Sequence, residues 1–400
     1  MTKARGLPAS LLLPRDCFSA EVIARRSQEH GFAQPNTLEA LLWDYEIFGQ
    51  LQKRVEGAAR LMGGAATQLF VSPGRQRASV DIDVLTTLPN VAIEAHLGDI
   101  GRALGAEGPY VVFERYIPLK PSKTPGLHSH TVLVPSAIGQ KWRLQDGREI
   151  EARMIKVDFH EVAGLPPGLS LPAAVAGIDL QFEALCVSRG YLVAEKLLTQ
   201  ARSTVGVPDS RYQDLPKHLY DLDGLTSVET AGESLAEAAQ WLPDVVDQQG
   251  TEWRGRKQLA RVLEDLEKSL AGFAVIDYVE ERDRFGRAVQ QLETLYLPRG
   301  SHWRLHQWAM KAARMLALAR LIRRAVLEKT PIGAGQFEIL EALAGKVRAH
   351  ADPSGLCKAL FSRLPATLQH IRPMRGSPPE RLFWLLADRE NIPQLSEMIS

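Results

Sequence analysis

Apolar and polar residues alternate along much of the first half of the chain. Between Met154 and His160, the apolar Ile155, Val157 and Phe159 alternate with polar residues, which is the period-two pattern of a half-buried β-strand. Apolar runs and alternation predict strands around residues 67–71, 79–85, 110–117, 130–134 and 153–160, with one helix near 91–104. This mixture predicts an α/β (α+β) core containing a mixed sheet.

Helical spacing of apolar residues predominates on both sides of this region. It predicts a long helix from Thr37 to Arg60 and another from about Tyr191 to Arg202. From Glu229 to Ser400 one amphipathic helix follows another, with breaks near prolines such as Pro243 and Pro331. We therefore expect a helical N-terminal extension over residues 1–60, a core over 61–228 and a mainly helical C-terminal domain over 229–400.

Composition adds limits rather than a function. The chain is 45% apolar and 24% charged, as in ordinary globular domains. Its net charge of +1 predicts no general attraction to nucleic acid. Cys17, Cys186 and Cys357 are far apart and form no metal-binding or disulfide pattern. No apolar run approaches the roughly 18 residues that a membrane span needs, so we expect a cytoplasmic protein without membrane contact.

Two carboxylates carry the clearest chemical signal. In the strand predicted around residues 79–85, the side chains of Ser79, Asp81 and Asp83 project to one face, because successive side chains of a strand point to opposite faces. Oxygen ligands of this kind suit Mg²⁺, which completes its shell with water and substrate phosphates. Upstream, the Gly63-Gly64 pair allows a triphosphate to approach backbone N–H groups closely. The segment predicts phosphoryl or nucleotidyl transfer, although an ordinary solvated strand can carry the same Asp-x-Asp triplet.

Asp158 and Lys196 are two further candidates for functional residues. Asp158 lies on the polar face of the strand predicted over 153–160. Lys196 follows Val193 and Leu192 by three and four residues, which places it near the apolar stripe of its helix. Contact with triphosphate oxygens would explain a lysine there, and snorkelling from the edge of the stripe is the alternative.

A polar cluster is predicted on the next helix. Asp214 is placed to cap its N-terminus. His218 and Asp221 are three residues apart, and Lys217 and Asp221 are four apart, so these side chains share a face. An ordinary surface pair between Lys217 and Asp221 is the alternative to a nucleotide-binding role.

Five of these features occur in an order that resembles the AbiEii-type nucleotidyltransferases, a branch of the DNA polymerase β-like superfamily. They are the glycine pair, RxSxDID, IKVDF, AEKL and KHLYDL, and together they span Leu61 to Leu225. The chain departs from the family at two positions. Met62 stands where a lysine is common before the glycine pair, and Ala65 stands where Ser or Thr is common after it.

The resemblance implies a polymerase β-like core and transfer of NMP from an NTP to an acceptor by a two-metal mechanism. It implies that Asp81, Asp83 and Asp158 hold two Mg²⁺ ions, with the role of general base toward the attacking hydroxyl as the alternative for Asp158. It also implies that Lys196 and Asp221 complete the catalytic set. The nucleotide-binding residues it implies are Gly63, Gly64, Thr67, Arg77, Ser79, Lys196, Lys217 and His218.

The resemblance also implies a biological setting. Many family members are toxins of toxin–antitoxin or abortive-infection modules, which act in phage defence. We therefore expect a cognate antitoxin as partner and tRNA, at its 3′ end, as acceptor. Two alternatives stay open: a catalytically inactive binding or regulatory protein of the same fold, and a small-molecule nucleotidyltransferase with an acidic acceptor pocket.

A basic stripe lies in the C-terminal half. The segment from Arg299 to Lys329 holds eight Lys or Arg residues, one acid and two tryptophans. Arg320, Arg323 and Arg324 fall within about one helical turn. Such a stripe suits an RNA backbone, with aromatics available to stack on unpaired bases. A basic solvated face on a helical bundle is the equal alternative.

Overall fold

This computed structural model of the chain describes residues 10–105, 112–115, 126–143, 147, 149–227, 231–333 and 335–399, with the backbone alone at residues 112–115, 372, 373 and 389. The chain forms two compact units. The first, here called the sheet unit, comprises Met1–Arg189 and Glu293–His302. The second, the helical unit, comprises Gly190–Leu292 and Trp303–Ser400.

One mixed sheet organises the sheet unit. Its described strands are β1 (Ala59–Met62), β2 (Asp81–Thr86), β3 (Val112–Arg115), β4 (Leu127–Pro135), β5 (Lys141–Arg143), β6 (Glu149–Glu161), β7 (Leu169–Val175) and β8 (Ile178–Cys186). The strand order is β3-β4-β6-β2-β1-β8-β7, and β5 pairs with β6 at the side of this path. At the centre, β2 runs antiparallel to β1 and parallel to β6.

Among the described residues, four α-helices lie wholly within the same unit: α1 (Ala20–Glu29), α2 (Pro35–Arg54), α3 (Gly63–Phe70) and α4 (Asn90–Gly105). Helix α2 is buried along most of its length. The Trp43 indole N–H donates to the Pro135 carbonyl of β4 at 3.1 Å, and the Tyr45 hydroxyl donates to the Ala65 carbonyl of α3 at 2.9 Å. Helix α2 is thereby fixed against the sheet and against the helix that begins at the glycine pair.

From Arg189 onward the described residues contain helices, turns and loops and no strand, as the sequence predicted. The α-helices are α5 (Arg189–Leu198), α6 (Leu215–Leu225), α7 (Ala231–Asp247), α8 (Arg256–Phe273), α9 (Arg282–Leu295), α10 (Leu305–Leu327), α11 (Gln336–Arg348), α12 (Pro353–Ser362), α13 (Ala366–Gln369), α14 (Pro379–Leu386) and α15 (Ile392–Ile399). Helix α10 lies at the centre, with Trp308, Leu316 and Ile322 buried. No helix among the described residues combines the length and apolar character needed to cross a membrane.

Two local predictions are wrong. The strand predicted at 67–71 is part of α3, whose turns are closed by side chains: the Thr67 hydroxyl donates to the Gly63 carbonyl at 2.8 Å, and the Gln68 amide donates to the Gly64 carbonyl at 3.0 Å. The helix predicted to reach Arg60 ends at Arg54, because Glu56 and Gly57 adopt positive φ values of 43° and 86°.

Several other predicted helices and strands are present in the structure, with boundaries close to the predicted ones. The helix near 91–104 and the strands near 79–85, 130–134 and 153–160 are present. Of the predicted strand at 110–117, residues 112–115 form β3 and the remainder lies outside the described residues. Strands β1, β5, β7 and β8 were not predicted. The compact units divide the chain at 189/190 rather than 228/229, and the predicted domain boundaries stay predictions.

Candidate active site

A glycine turn brings backbone against two side chains of the predicted site. Gly63 follows β1 directly and has φ +67°, in the left-handed region that favours glycine. A Cβ on Gly63 would overlap the carboxylate of Asp83, and one on Gly64 would lie 2.6 Å from the hydroxyl oxygen of Ser79. Only residues without side chains let the start of α3 come this close to Asp83 and Ser79.

Asp81 and Asp83 lie on one face of β2, as the alternation predicted. Both are half-buried, whereas Ile82 between them is fully buried in the opposite face. The Ser79 hydroxyl donates weakly to an Asp81 carboxylate oxygen at 3.4 Å. The His160 imidazole Nε2 lies 3.9 Å from Oδ1 of Asp83.

Asp158 lies beside this pair on the neighbouring strand. In the parallel register of β2 and β6, Asp83 is directly opposite Asp158. The Asp158 carboxylate accepts a hydrogen bond from the Ser129 hydroxyl at 2.6 Å on one oxygen and pairs with the Lys156 ammonium on the other. Both oxygens are therefore already engaged within the protein.

The donors fit a magnesium ion through Asp81 and Asp83. Mg²⁺ is usually bound by one or two carboxylates, with water and substrate phosphates completing its octahedral shell. Asp81 and Asp83 supply two such carboxylates beside the open backbone of the glycine turn. Among the described residues, no three His, Cys, Asp or Glu side chains are grouped so that they could hold a metal together. Asp158 is instead paired with the Lys156 ammonium.

Thr67 and Arg77 lie next to the glycine turn in different ways. The Thr67 hydroxyl is buried inside α3 and bonded to the Gly63 carbonyl. Arg77 is 3% exposed, and its Nη2 is 3.2 Å from the place that a Gly64 Cβ would occupy. Its Nη1 donates to the Ala78 carbonyl at 2.8 Å. Arg77 thus places a cation beside the N-terminus of α3.

Sequence reasoning missed a further acidic residue near Asp81 and Asp83. Asp44 lies on α2 and is fully buried, and neither of its carboxylate oxygens has a hydrogen-bond partner among the described residues. Burial raises the pKa of Asp44 well above its usual range, and the charges of Asp81 and Asp83 raise it further while Arg153 opposes them. The only available signal was an acid inside the apolar run LLWDYEIF.

In the helical unit, Lys196 and Asp221 form a buried pair. Lys196 is 2% exposed and Asp221 2% exposed. The Lys196 ammonium lies 3.8 Å from Oδ2 of Asp221 and 3.2 Å from Oε1 of Glu195. Burying a lysine is costly unless it is paired, so α5 and α6 hold this charge with nearby acids rather than letting it reach solvent.

The rest of the predicted α6 cluster is arranged differently. Lys217 pairs with Asp214 at 3.3 Å instead of with Asp221, because the Asp221 side chain points into the buried face. Asp214 occupies the N-cap position without capping the helix through its side chain, since its carboxylate also pairs with Arg211. His218 is half-buried on the same helix.

The three arginines of the basic stripe have partners inside the helical unit. Arg320 donates to the Leu385 carbonyl at 2.8 Å. Arg323 lies 3.6 Å from Glu267, and Arg324 lies 3.1 Å from Asp388 and 2.9 Å from Glu390. These contacts favour the alternative of a basic face integrated in the bundle, and an RNA-binding role for the stripe stays a prediction.

Comparison with known proteins agrees with the motif order. Residues 56–296 match the family model described as nucleotidyl transferase AbiEii toxin, type IV toxin–antitoxin system. No curated protein matches the chain. Among solved structures, the chain is similar to MenT4, a nucleotidyltransferase toxin from Mycobacterium tuberculosis H37Rv, with 15% identity over 94% of this chain and 97% of that chain and a TM-score of 0.42.

Proposed function

We propose, from the premise that the chain belongs to the AbiEii family of nucleotidyltransferase toxins, that it transfers NMP from an NTP to the 3′ end of tRNA. In this proposal Asp81 and Asp83 bind Mg²⁺, and Lys196 neutralises charge on the triphosphate. The cognate antitoxin that the family implies would restrain this activity in the cell.

The close packing of the glycine turn on Asp83 and Ser79 carries the proposal. A solvated strand face needs no backbone against its side chains, whereas here a side chain at Gly63 would collide with the Asp83 carboxylate and one at Gly64 with the Ser79 hydroxyl. Backbone that approaches a carboxylate pair this closely at a helix N-terminus is suited to phosphate bound next to a metal. This observation favours a nucleotide site over an ordinary Asp-x-Asp strand.

The residues of the sheet unit suggest a division of work. The N–H groups at the start of α3 and the Arg77 guanidinium would bind phosphate oxygens, because both present positive charge beside Gly64. Bound Mg²⁺ would neutralise negative charge on the phosphates during transfer. Ser79 would fix the orientation of Asp81, to which its hydroxyl donates.

Asp158 is proposed to act on the acceptor. Its carboxylate can accept the proton of an attacking hydroxyl once the Lys156 ammonium shifts away, and Ser129 holds the carboxylate in orientation meanwhile. A terminal ribose hydroxyl is a suitable nucleophile, and a single-stranded RNA end can enter a site that a duplex cannot. These points support tRNA as the acceptor class.

Controlled expression in a bacterial host tests the toxin role. Induction of the wild-type chain should arrest growth, and Asp81→Asn should not, because the metal pair loses a ligand. Asp99→Asn is the matched control, since Asp99 is an exposed aspartate on α4 that pairs with Arg102. Equal growth arrest by wild type and Asp81→Asn, at equal protein levels, would refute the role given to Asp81.

A further inference from the structure

Helix α6 is held from two opposite sides. Asp221 and Asp223 are two residues apart, which places their side chains about 200° apart around the helix axis. Asp221 faces Lys196 of α5. Asp223 is fully buried on the other side, where it faces α10. Any contact that fixes Asp223 therefore also fixes the direction in which Asp221 points.

Two cations of α10 grip Asp223. The Lys311 ammonium lies 3.0 Å from its Oδ1, and Nη1 of Arg314 lies 3.7 Å from the same oxygen. Lys311 also lies over the ring of Trp303, with 5.3 Å between Nζ and the ring centroid. The Trp303 ring in turn packs against Tyr220, the neighbour of Asp221, at 5.0 Å between centroids.

Arg314 also fixes the C-terminal end of α6. Its Nη1 donates to the Thr226 hydroxyl at 2.8 Å and its Nη2 donates to the Thr226 carbonyl at 2.6 Å, and Thr226 is the C-cap residue of α6. Its Nε donates to Glu341 of α11 at 2.6 Å. A guanidinium is planar and rigid, so hydrogen bonds to the Thr226 hydroxyl, the Thr226 carbonyl and the Glu341 carboxylate, together with the ion pair to Asp223, define both the rotation and the axial position of the helix end.

Stability alone is a weak explanation for this cluster. A buried ion pair often stabilises a fold no better than apolar residues of similar volume, whereas loss of one partner leaves an uncompensated charge. The cluster does specify one rotation and one axial position of α6. These matter most for a helix whose other face carries a residue that must meet its partner within a fraction of an ångström.

We propose that Arg314 and Lys311 are positioning residues that hold Asp221 against Lys196 through Asp223 and Thr226. The proposal rests on the proposed function, in which Lys196 neutralises charge on the triphosphate, and Asp221 is the acid that faces Lys196. In this proposal α10, the central helix of the C-terminal half, orients α6 through the face of α6 that is opposite Asp221.

The test compares two arginines of the helical unit in the full-length protein. Arg314→Met removes the guanidinium that holds Asp223 and Thr226, here called the clamp. Arg348→Met is the matched control, because Arg348 lies on α11 outside the basic stripe and pairs with Glu380 of α14. Under conditions where circular dichroism shows both variants folded, we expect kcat of Arg314→Met to fall about 10- to 100-fold, as displacement of catalytic groups does. KM for the NTP should stay within about threefold, because the clamp sets geometry rather than substrate charge.

Conservative variants separate positioning from folding. Arg314→Lys keeps the charge beside Asp223 but cannot make both Thr226 bonds, so it should recover part of kcat. Lys311→Met, which leaves Arg314 in place, substitutes for Arg314→Met if the latter does not fold. A kcat of the folded clamp variant within about twofold of the kcat of Arg348→Met would overturn the proposal.

Amide hydrogen exchange distinguishes failure of the clamp from failure of the proposed function. Absence of NMP transfer by the wild type would refute the function, and the clamp would then be judged by exchange alone. Residues 219–226 should exchange faster in Arg314→Met than in Arg348→Met, because local opening of α6 becomes easier. Equal exchange in the two variants would refute the clamp whether or not the wild type is active.

Discussion

Gly63 is the residue at which backbone conformation and active-site geometry meet. Gly63→Ala should abolish NMP transfer, because the added Cβ would overlap the Asp83 carboxylate. Gly57→Ala is the control: Gly57 also has a positive φ, of 86°, but a Cβ there meets nothing within 4 Å. Each variant should lose about 1–2 kcal/mol of stability from backbone strain. Equal activity of the two folded variants would show that the approach of Gly63 to Asp83 is unimportant.

Asp44 gives the stability of the protein a predictable pH dependence. Its pKa is raised in the folded state by burial, and in the unfolded chain it returns toward 3.8. A raised folded-state pKa means that the neutral carboxyl contributes stability that is fully present below pH 3.8 and is lost as the pH rises toward the folded-state pKa. The side chain that Asp44→Asn introduces cannot ionise. The unfolding temperature of this variant should therefore increase relative to that of the wild type as the pH rises.

Thermal unfolding of Asp44→Asn and wild type at several pH values, in a chelator, measures this difference. A constant difference in unfolding temperature between the two proteins across pH 4–8 would contradict the burial of an ionisable Asp44 next to Asp81 and Asp83.

The sequence around Asp44 predicts only a core helix. Its acidic neighbours come from β2, and no local pattern reveals a contact between segments so far apart in the chain.

At the scale of elements, the order of motifs was more informative than local periodicity. The alternation around Asp81 and Asp158 predicted β2 and β6, but it did not show that they are adjacent and parallel with Asp83 opposite Asp158. The apolar stretch before the basic turn read as a strand, whereas small residues and two side-chain hydrogen bonds make it α3. Strand pairing and helix capping depend on contacts that a single sequence does not contain.

The buried position of Lys196 between α5 and α6 leads to a prediction about NTP use. Lys196→Met keeps the apolar stem and removes the charge, so NTP use should weaken, with kcat/KM reduced about 10- to 100-fold, the range of one lost charged contact. Lys346→Met is the control, because Lys346 is exposed on α11. Steady-state kinetics against NTP concentration measures the effect. Unchanged NTP dependence would make Lys196 a packing residue.

Helix α10 offers a second element-scale prediction. Loss of three backbone contacts to RNA would flatten the slope of log affinity against log salt by about 2–3. Because Arg320, Arg323 and Arg324 already have partners in the helical unit, we expect the triple Met variant to keep the wild-type slope when folded. Electrophoretic mobility shifts with total tRNA at several salt concentrations measure this slope, and a slope flattened by 2–3 would support the stripe as an RNA-binding surface.

At the scale of the whole molecule, the sequence predicted a strand-rich first part and a helical second part, and the described residues confirm this division. It also predicted the family, through motifs that lie inside the matched segment 56–296. The net charge of +1 carries no information about the acceptor. Acceptor choice depends on the shape and local charge of surfaces that composition averages away.

Transfer of a labelled nucleotide to RNA tests the central claim most directly. Purified full-length protein, Mg²⁺ and total cellular RNA are incubated with each α-labelled NTP in turn, and the labelled species are separated by size and digested from the 3′ end. We predict label at the 3′ end of tRNA-sized RNA with wild type and Asp99→Asn, and none with Asp81→Asn. Label only on protein or on small molecules, or equal labelling by Asp81→Asn, would contradict the account.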